Sequence, residues 1–176
     1  MRSFEFPSLE TARLRLRQHR QDDFAACCQL WSDPLVTKYT TGRALTGEEV
    51  WARLLRFAGH WAMLGYGYWA MEEKASGDFV GEIGFAEYRR EIVPPLYAPE
   101  SGWIVSPSAH GKGIATEALT TIIEWGDAHL SADRTVCIIT PENKASIRVA
   151  EKCGYHEART LTYQNSPVLL FDRLRP

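Results

Sequence analysis

The sequence lacks a basic excess: 20 Lys and Arg stand against 22 Asp and Glu, for a net charge of −2. A general nucleic-acid binder carries a clear positive balance, so that class is disfavoured, while local basic patches stay open. No run approaches the roughly 20 consecutive apolar residues that a bilayer-spanning helix needs, and none of signal-peptide length follows Arg2. Neither a membrane partner nor secretion is expected, which points to the cytoplasm. The four cysteines, Cys27, Cys28, Cys137 and Cys153, form no Cys-x-x-Cys pair. They read as reduced thiols, and no metal is expected. Repeats, low-complexity tracts and composition breaks are also missing. The chain is therefore read as one domain spanning residues 1–176, large enough to bury roughly 70% of its unfolded surface.

What is present is a mixture of strands and helices. Leu14 and Leu16 alternate with arginines, as in a half-buried strand. Asp22 and Asp23 give an acidic start to a helix over Phe24 to Trp31, which Pro34 stops soon after. Thr46 with Glu49 is a capping box, followed by Val50, Trp51, Leu54, Leu55, Ala58 and Trp61 at helical spacing up to Gly65. That spacing predicts core positions for Trp51 and Trp61. Strands are expected over Tyr66 to Glu73 and Phe79 to Tyr88, then at Trp103 to Val105 and Val136 to Ile139, with a closing pair at Arg159 to Tyr163 and Val168 to Leu174. On the long helix beginning near Ile114, Ala115, Ala118, Leu119 and Ile122 share a face, and Gly126 costs about 1 kcal/mol relative to Ala.

The segment from Gly102 to Ala118 carries the most chemistry. An apolar run enters the turn His110-Gly111-Lys112-Gly113, which opens that helix. The glycines allow a tight turn, so the first N–H groups of the helix can converge on an anion such as phosphate. A Walker loop is excluded, because Lys112 is followed by Gly113 and no glycine stands five residues before the Gly-Lys pair. The dinucleotide fingerprint fails at Thr116, where its third glycine would stand. Alone, the motif also fits a plain strand-to-helix turn. A second segment lies downstream: Asn143-x-x-Ser146 opens a helix that ends in Lys152-Cys153-Gly154-Tyr155.

With both motifs, the chain resembles the GNAT superfamily of acyl-CoA-dependent N-acetyltransferases, and most closely the branch acetylating N-termini of ribosomal proteins (RimJ/RimL-like). Leu9 to Arg17 and Ser32-Asp33-Pro34 also look like that branch, so the resemblance spans nearly the whole chain. It implies an α/β (α+β) fold: a mixed central sheet of about 6–7 strands, helices on both faces, and a splayed strand pair holding the cofactor. It further implies acetyl-CoA as co-substrate. The pyrophosphate would meet the amides of His110, Gly111, Lys112, Gly113, Ile114, Ala115 and Thr116. The pantetheine arm would lie along Ile104 and Val105, whose N–H is the candidate oxyanion donor. Asn143 would bond the arm, although it is equally a good helix N-cap. Ser146 would protonate the departing thiolate, because the tyrosine that many relatives carry four residues further on is Ala150 here. Relatives usually have Gln or Arg where Ser108 stands. Lys112 and Arg148 are candidates to approach the phosphates, or are solvated charges.

The remaining roles are less specified. Alkylammonium groups have pKa values near 10, so a base or water chain must deprotonate the acceptor. Glu100, then Glu82, are the candidates, each also readable as a structural carboxylate. For the acceptor, Tyr39 in the loop Val36 to Gly42, and Trp31, are the expected contacts. The acceptor is expected to be a primary amine: the N-terminus of a protein, a small-molecule amine and an amino-acid derivative all stay open. A non-catalytic acyl-CoA-binding regulatory module is the rival reading. Oligomeric state stays open, homodimers being common among such relatives.

Overall fold

The alternation at Leu14 and Leu16 is realised as strand β2 (Leu14–Arg17), which pairs with the two-residue β1 (Leu9–Glu10), in a computed structural model that describes residues 6–176. The stretch from Met1 to Glu5, where the leader reading began, lies outside the described residues. Helices α1 (Phe24–Ser32), α2 (Pro34–Thr37) and α3 (Gly47–Leu64) follow, then β3 (Tyr68–Glu73), β4 (Phe79–Ala86) and β5 (Glu100–Val105). Next come α4 (Ile114–His129), β6 (Arg134–Ile139), α5 (Lys144–Lys152) and the hairpin of β7 (His156–Tyr163) and β8 (Ser166–Leu174).

The strands form one sheet of eight in the order β1-β2-β3-β4-β5-β6-β8-β7, one or two more than expected. The additions include β1, too short to show an alternation. Every neighbouring pair is antiparallel except β5 and β6. On one face α4 packs Ile114, Ala118, Leu119 and Ile122 against Leu14, Leu16, Trp69, Ile83 and Phe85. On the other, α1 and α3 bring Cys27, Leu30, Val50, Leu54 and Phe57 onto Tyr68 and Ala86. Gly126 has a packing reason: a Cβ there would sit 3.0 Å from the Phe85 ring, so glycine lets α4 seat on the sheet.

Local expectations are corrected on α3 and at Val36 and Thr37, and extended at Pro34 and Asp23. The buried stripe of α3 is Val50, Leu54, Phe57 and Trp61, whereas Trp51 is 39% and Leu55 55% exposed. The two stripes differ by one residue, or about 100° around the helix, and only the first faces the sheet. Trp51 instead meets the edge of Phe24. Pro34 does more than stop α1: it is the first residue of α2, where Asp33 caps by accepting from the Leu35 amide (2.8 Å). Val36 and Thr37 are therefore helical rather than loop. Asp23 serves structure beyond the start of α1: buried, it takes two bonds from Arg17 (2.8 Å each), tying β2 to the helix.

Strands β5 and β6 pair only at Glu100 and Val136, where the Val136 amide donates to Pro99 O (3.0 Å). Beyond that point they part. The apex is closed by side chains: Ser101 Oγ lies 3.2 Å from Val136 O and 2.9 Å from the Tyr155 hydroxyl, which is 2.7 Å from Thr135 Oγ1. All four cysteines are free thiols. No helix among the described residues is long and apolar enough to cross a membrane.

Candidate active site

The gap between β5 and β6 opens into a cleft of about 1360 Å³. Which groups of β5 face the gap follows from its ladder with β4. Ser106 N donates to Val80 O (2.8 Å), so bonding positions alternate back through Ile104, Gly102 and Glu100. The N–H and C=O groups of Trp103 and Val105 consequently point away from β4 and into the gap. Trp103 and Ile104 line the cleft, while Val105 is buried beside it.

Past β5 the chain makes a single 3-10 turn (Pro107–Ala109) and reaches Gly111 and Gly113, both left-handed with φ +72° and +76°. Gly113 is the N-cap of α4 and supplies no side-chain bond, which leaves the first-turn amides for an anion. His110 is corrected here: its amide is engaged by Pro107 O (3.1 Å), and its Nε2 lies 2.8 Å from Val105 O, bracing the loop on the strand. A second brace escaped sequence reading. Arg13 donates to Lys112 O (2.8 Å) and to Glu117 in the first turn of α4 (2.7 Å), fixing the loop from the β1–β2 turn.

Asn143 caps α5 by accepting from the Ser146 amide (3.2 Å), and both residues line the cleft. Ala150, at the position of the absent tyrosine, is fully buried. Arg148 is exposed on α5 and does not line the cleft. Tyr39 does, and its carbonyl accepts from Thr140 Oγ1 (3.4 Å), joining the segment after α2 to the turn before α5.

The two carboxylates differ sharply. Glu100 lines the cleft, but both its oxygens accept from Arg90 (2.7 and 2.8 Å). Arg90 in turn lies between the rings of Tyr88 and Tyr163. Glu82, on β4 opposite Ile104, is 1% exposed and stands just behind the cleft wall, where Trp31 Nε1 donates to its Oε2 (3.1 Å). Its Oε1 has no hydrogen-bond partner, and His19 Nε2 is 3.8 Å away. Burial pushes the Glu82 carboxyl above its ordinary range, against the opposing pull of Arg53, Trp31 and Cys27. Burial also pushes His19 down to about 4, so near neutral pH its imidazole carries no charge.

Trp31, Tyr39, Glu100, Ile104, Asn143 and Ser146 thus share one cleft, with Glu82 behind its wall and the glycine turn at the mouth of α4. Tyr68, Tyr88, Arg53 and Arg56 also line it and were not anticipated. The arginines sit one turn apart on α3, and that spacing alone reads as a solvated helix face.

A family model for the acetyltransferase (GNAT) domain matches residues 13–156. The uncharacterized Bacillus subtilis protein YkkB is 31% identical over 94% of this chain and 94% of its own. A solved GnaT-family acetyltransferase from Bordetella pertussis superposes with a TM-score of 0.82 at 27% identity, over 95% of this chain and 99% of that one. RimL, a ribosomal L7/L12 alpha-N-protein acetyltransferase solved with coenzyme A, shares the fold at a TM-score of 0.74 and 18% identity, over 97% and 98%. The cleft between parting strands, the glycine turn opening α4 and the match over most of the sequence agree: the chain belongs to the GNAT family and is an acetyltransferase.

Proposed function

We propose that the protein transfers the acetyl group of acetyl-CoA to a primary amine by direct attack. The observation that carries this reading is the convergence on one cleft of the β5–β6 gap, the Asn143 and Ser146 helix start and the acceptor-side aromatics. The residues fit the co-substrate: the uncapped amides from Gly113 onward suit its pyrophosphate, and the inward N–H and C=O groups of Trp103 suit an extended amide-bearing arm, the Val105 C=O being engaged by His110. Bound there, acetyl-CoA supplies an activated acyl group.

Each remaining task has a residue in this chain. The Val105 N–H is a preorganised donor for the developing oxyanion. Glu82 is the preferred base over Glu100, because its raised affinity for a proton suits deprotonation of an ammonium and one oxygen is without a partner, whereas both oxygens of Glu100 are held by Arg90. Glu82 lies behind the wall and acts through water. Ser146 delivers a proton to the leaving thiolate from the start of α5. The acceptor enters past Tyr39 and Trp31. RimL's protein substrate makes an N-terminal amine one candidate class, with small-molecule amines the other.

Ala150 at the tyrosine position favours the rival reading, a non-catalytic acyl-CoA-binding module. One experiment separates the two. The protein is incubated with acetyl-CoA and a panel of peptides and small amines, and free thiol and acetylated mass are followed. Acceptor-dependent thiol release is expected, slowed severalfold to about a hundredfold in Ser146→Ala with CoA affinity retained. Tight CoA binding without any such release establishes the rival.

A further inference from the structure

The acceptor side of the cleft carries more positive charge than its own carboxylates neutralise. Lys38, Arg43, Arg53, Arg56, Arg89 and Arg90 line it. Three are matched: Arg43 pairs with Glu49, Arg89 with Glu87 and Arg90 with Glu100. Lys38, Arg53 and Arg56 form no ion pair among the described residues, and lie over rings instead. The Lys38 ammonium is 4.8 Å from the Tyr39 ring centre, and the Arg53 guanidinium 3.9 Å from that of Trp31. Arg56 is 5.2 Å from Tyr88.

Arg53 is the informative member. Its Nε is buried with no hydrogen-bond partner, and burial lowers its pKa, with Glu82 the leading opposing influence. A guanidinium stacked on an indole is fixed in orientation, so its free edge is a preformed donor fork. Arg56, three residues on, sits on the same helix surface about 5–6 Å away at the Cβ level. Glu82 behind the wall and Glu91 on the lining offset at most two of the three charges of Lys38, Arg53 and Arg56, and Glu82 bonds Trp31 rather than either arginine. Holding the Arg53 cation partly buried without a partner is costly, and Arg56 stands exposed beside it at the cleft, so an anion lying across the two completes the arrangement.

We propose that the acceptor bears a carboxylate close to the amine, read by Arg53 and Arg56 while the amine is presented toward Glu82 and the gap. This names the substrate class for the proposed acetyl transfer and rests on that reading. The carboxylate can come from a free amino-acid-like molecule or from an acidic side chain near a peptide N-terminus.

The test uses matched acceptors: 4-aminobutyrate against its amide, and peptides beginning Ala-Glu against Ala-Gln. For each pair kcat/KM is measured with acetyl-CoA, and equilibrium binding to the CoA-loaded protein is measured by calorimetry. The acid member of at least one pair is expected to be favoured by roughly ten- to hundred-fold, the scale of one hydrogen bond to a charged group. Which pair responds distinguishes the small molecule from the peptide. Arg56→Gln, at an exposed position, should shrink the preference mainly through KM, and Arg56→Glu should invert it. Equal binding of acid and amide in both pairs overturns the proposal, whatever the turnover, as does a preference that survives in Arg56→Glu. Carboxylate-dependent binding without turnover upholds the anion site and sinks the acetyl-transfer reading, and turnover without acid preference does the reverse.

Discussion

At the scale of single residues, Glu82 joins the proposed role of base to a stability cost. Its carboxyl holds a proton more tightly in the folded chain than in the unfolded one, because burial disfavours the anion. A raised carboxyl pKa contributes stability that is full below the ordinary carboxylate range and is lost as pH rises through the shifted value. Glu82→Gln is therefore expected to raise Tm at about pH 8, with the advantage shrinking toward about pH 4. The same change should lower kcat by about 10²- to 10⁴-fold and remove the acidic limb of the kcat/KM profile, which rises with pH as the base loses its proton. Thermal melts and a pH–rate series read both, and an acidic limb that persists in the variant rules Glu82 out as the base. Glu82 was visible in the sequence as a candidate, yet ranked behind Glu100. What separates them is a long-range fact: Arg90 saturates one, while Trp31 and His19, from distant segments, enclose the other.

At the scale of elements, the start of α4 was the most legible part of the site, because two left-handed glycines and an absent cap are local properties. Gly113→Ala places a Cβ at φ +76°, where it would meet only the Arg13 guanidinium at an ordinary 3.6 Å. The expected cost is the left-handed backbone, about 1–2 kcal/mol. Gly77, at φ +77° in the β3–β4 turn with open space around it, is the matched control. Both alanine variants should lose similar stability in denaturant titrations, but only Gly113→Ala should weaken CoA binding. Equal CoA affinity in the two would remove the cradle from the argument. Helix α3 shows the opposite case. Its capping box and length are written locally, whereas its buried stripe could be phased through Val50 or through Trp51. Only the sheet it meets decides, and that choice also turns Arg53 and Arg56 toward the cleft.

At the scale of the whole molecule, the sheet does one thing ordinary sheets do not: past Ser101 and Val136 its two central strands lose each other. A ligand lying between them ties together halves of the fold otherwise joined at the apex and through the flanking helices. Acetyl-CoA at about a hundredfold over its dissociation constant should add about 2.7 kcal/mol of stability. Amide hydrogen exchange should slow at Trp103 and Val105 while Gly102 and Ile104, already bonded to β4, change little. Uniform slowing, or none at Trp103 and Val105, would place the arm elsewhere. Beyond Ser101, β5 is in effect an edge strand inside the protein. Exposed edges invite other chains to add themselves and aggregate. Here the polar edge lies inside the cleft, with Trp103 and Ile104 on one side and Cys137, Ile138 and Ile139 on the other. An extended, amide-bearing arm such as that of the proposed co-substrate can pair with this edge, so the feature that would be a hazard on the outside becomes a docking rail within.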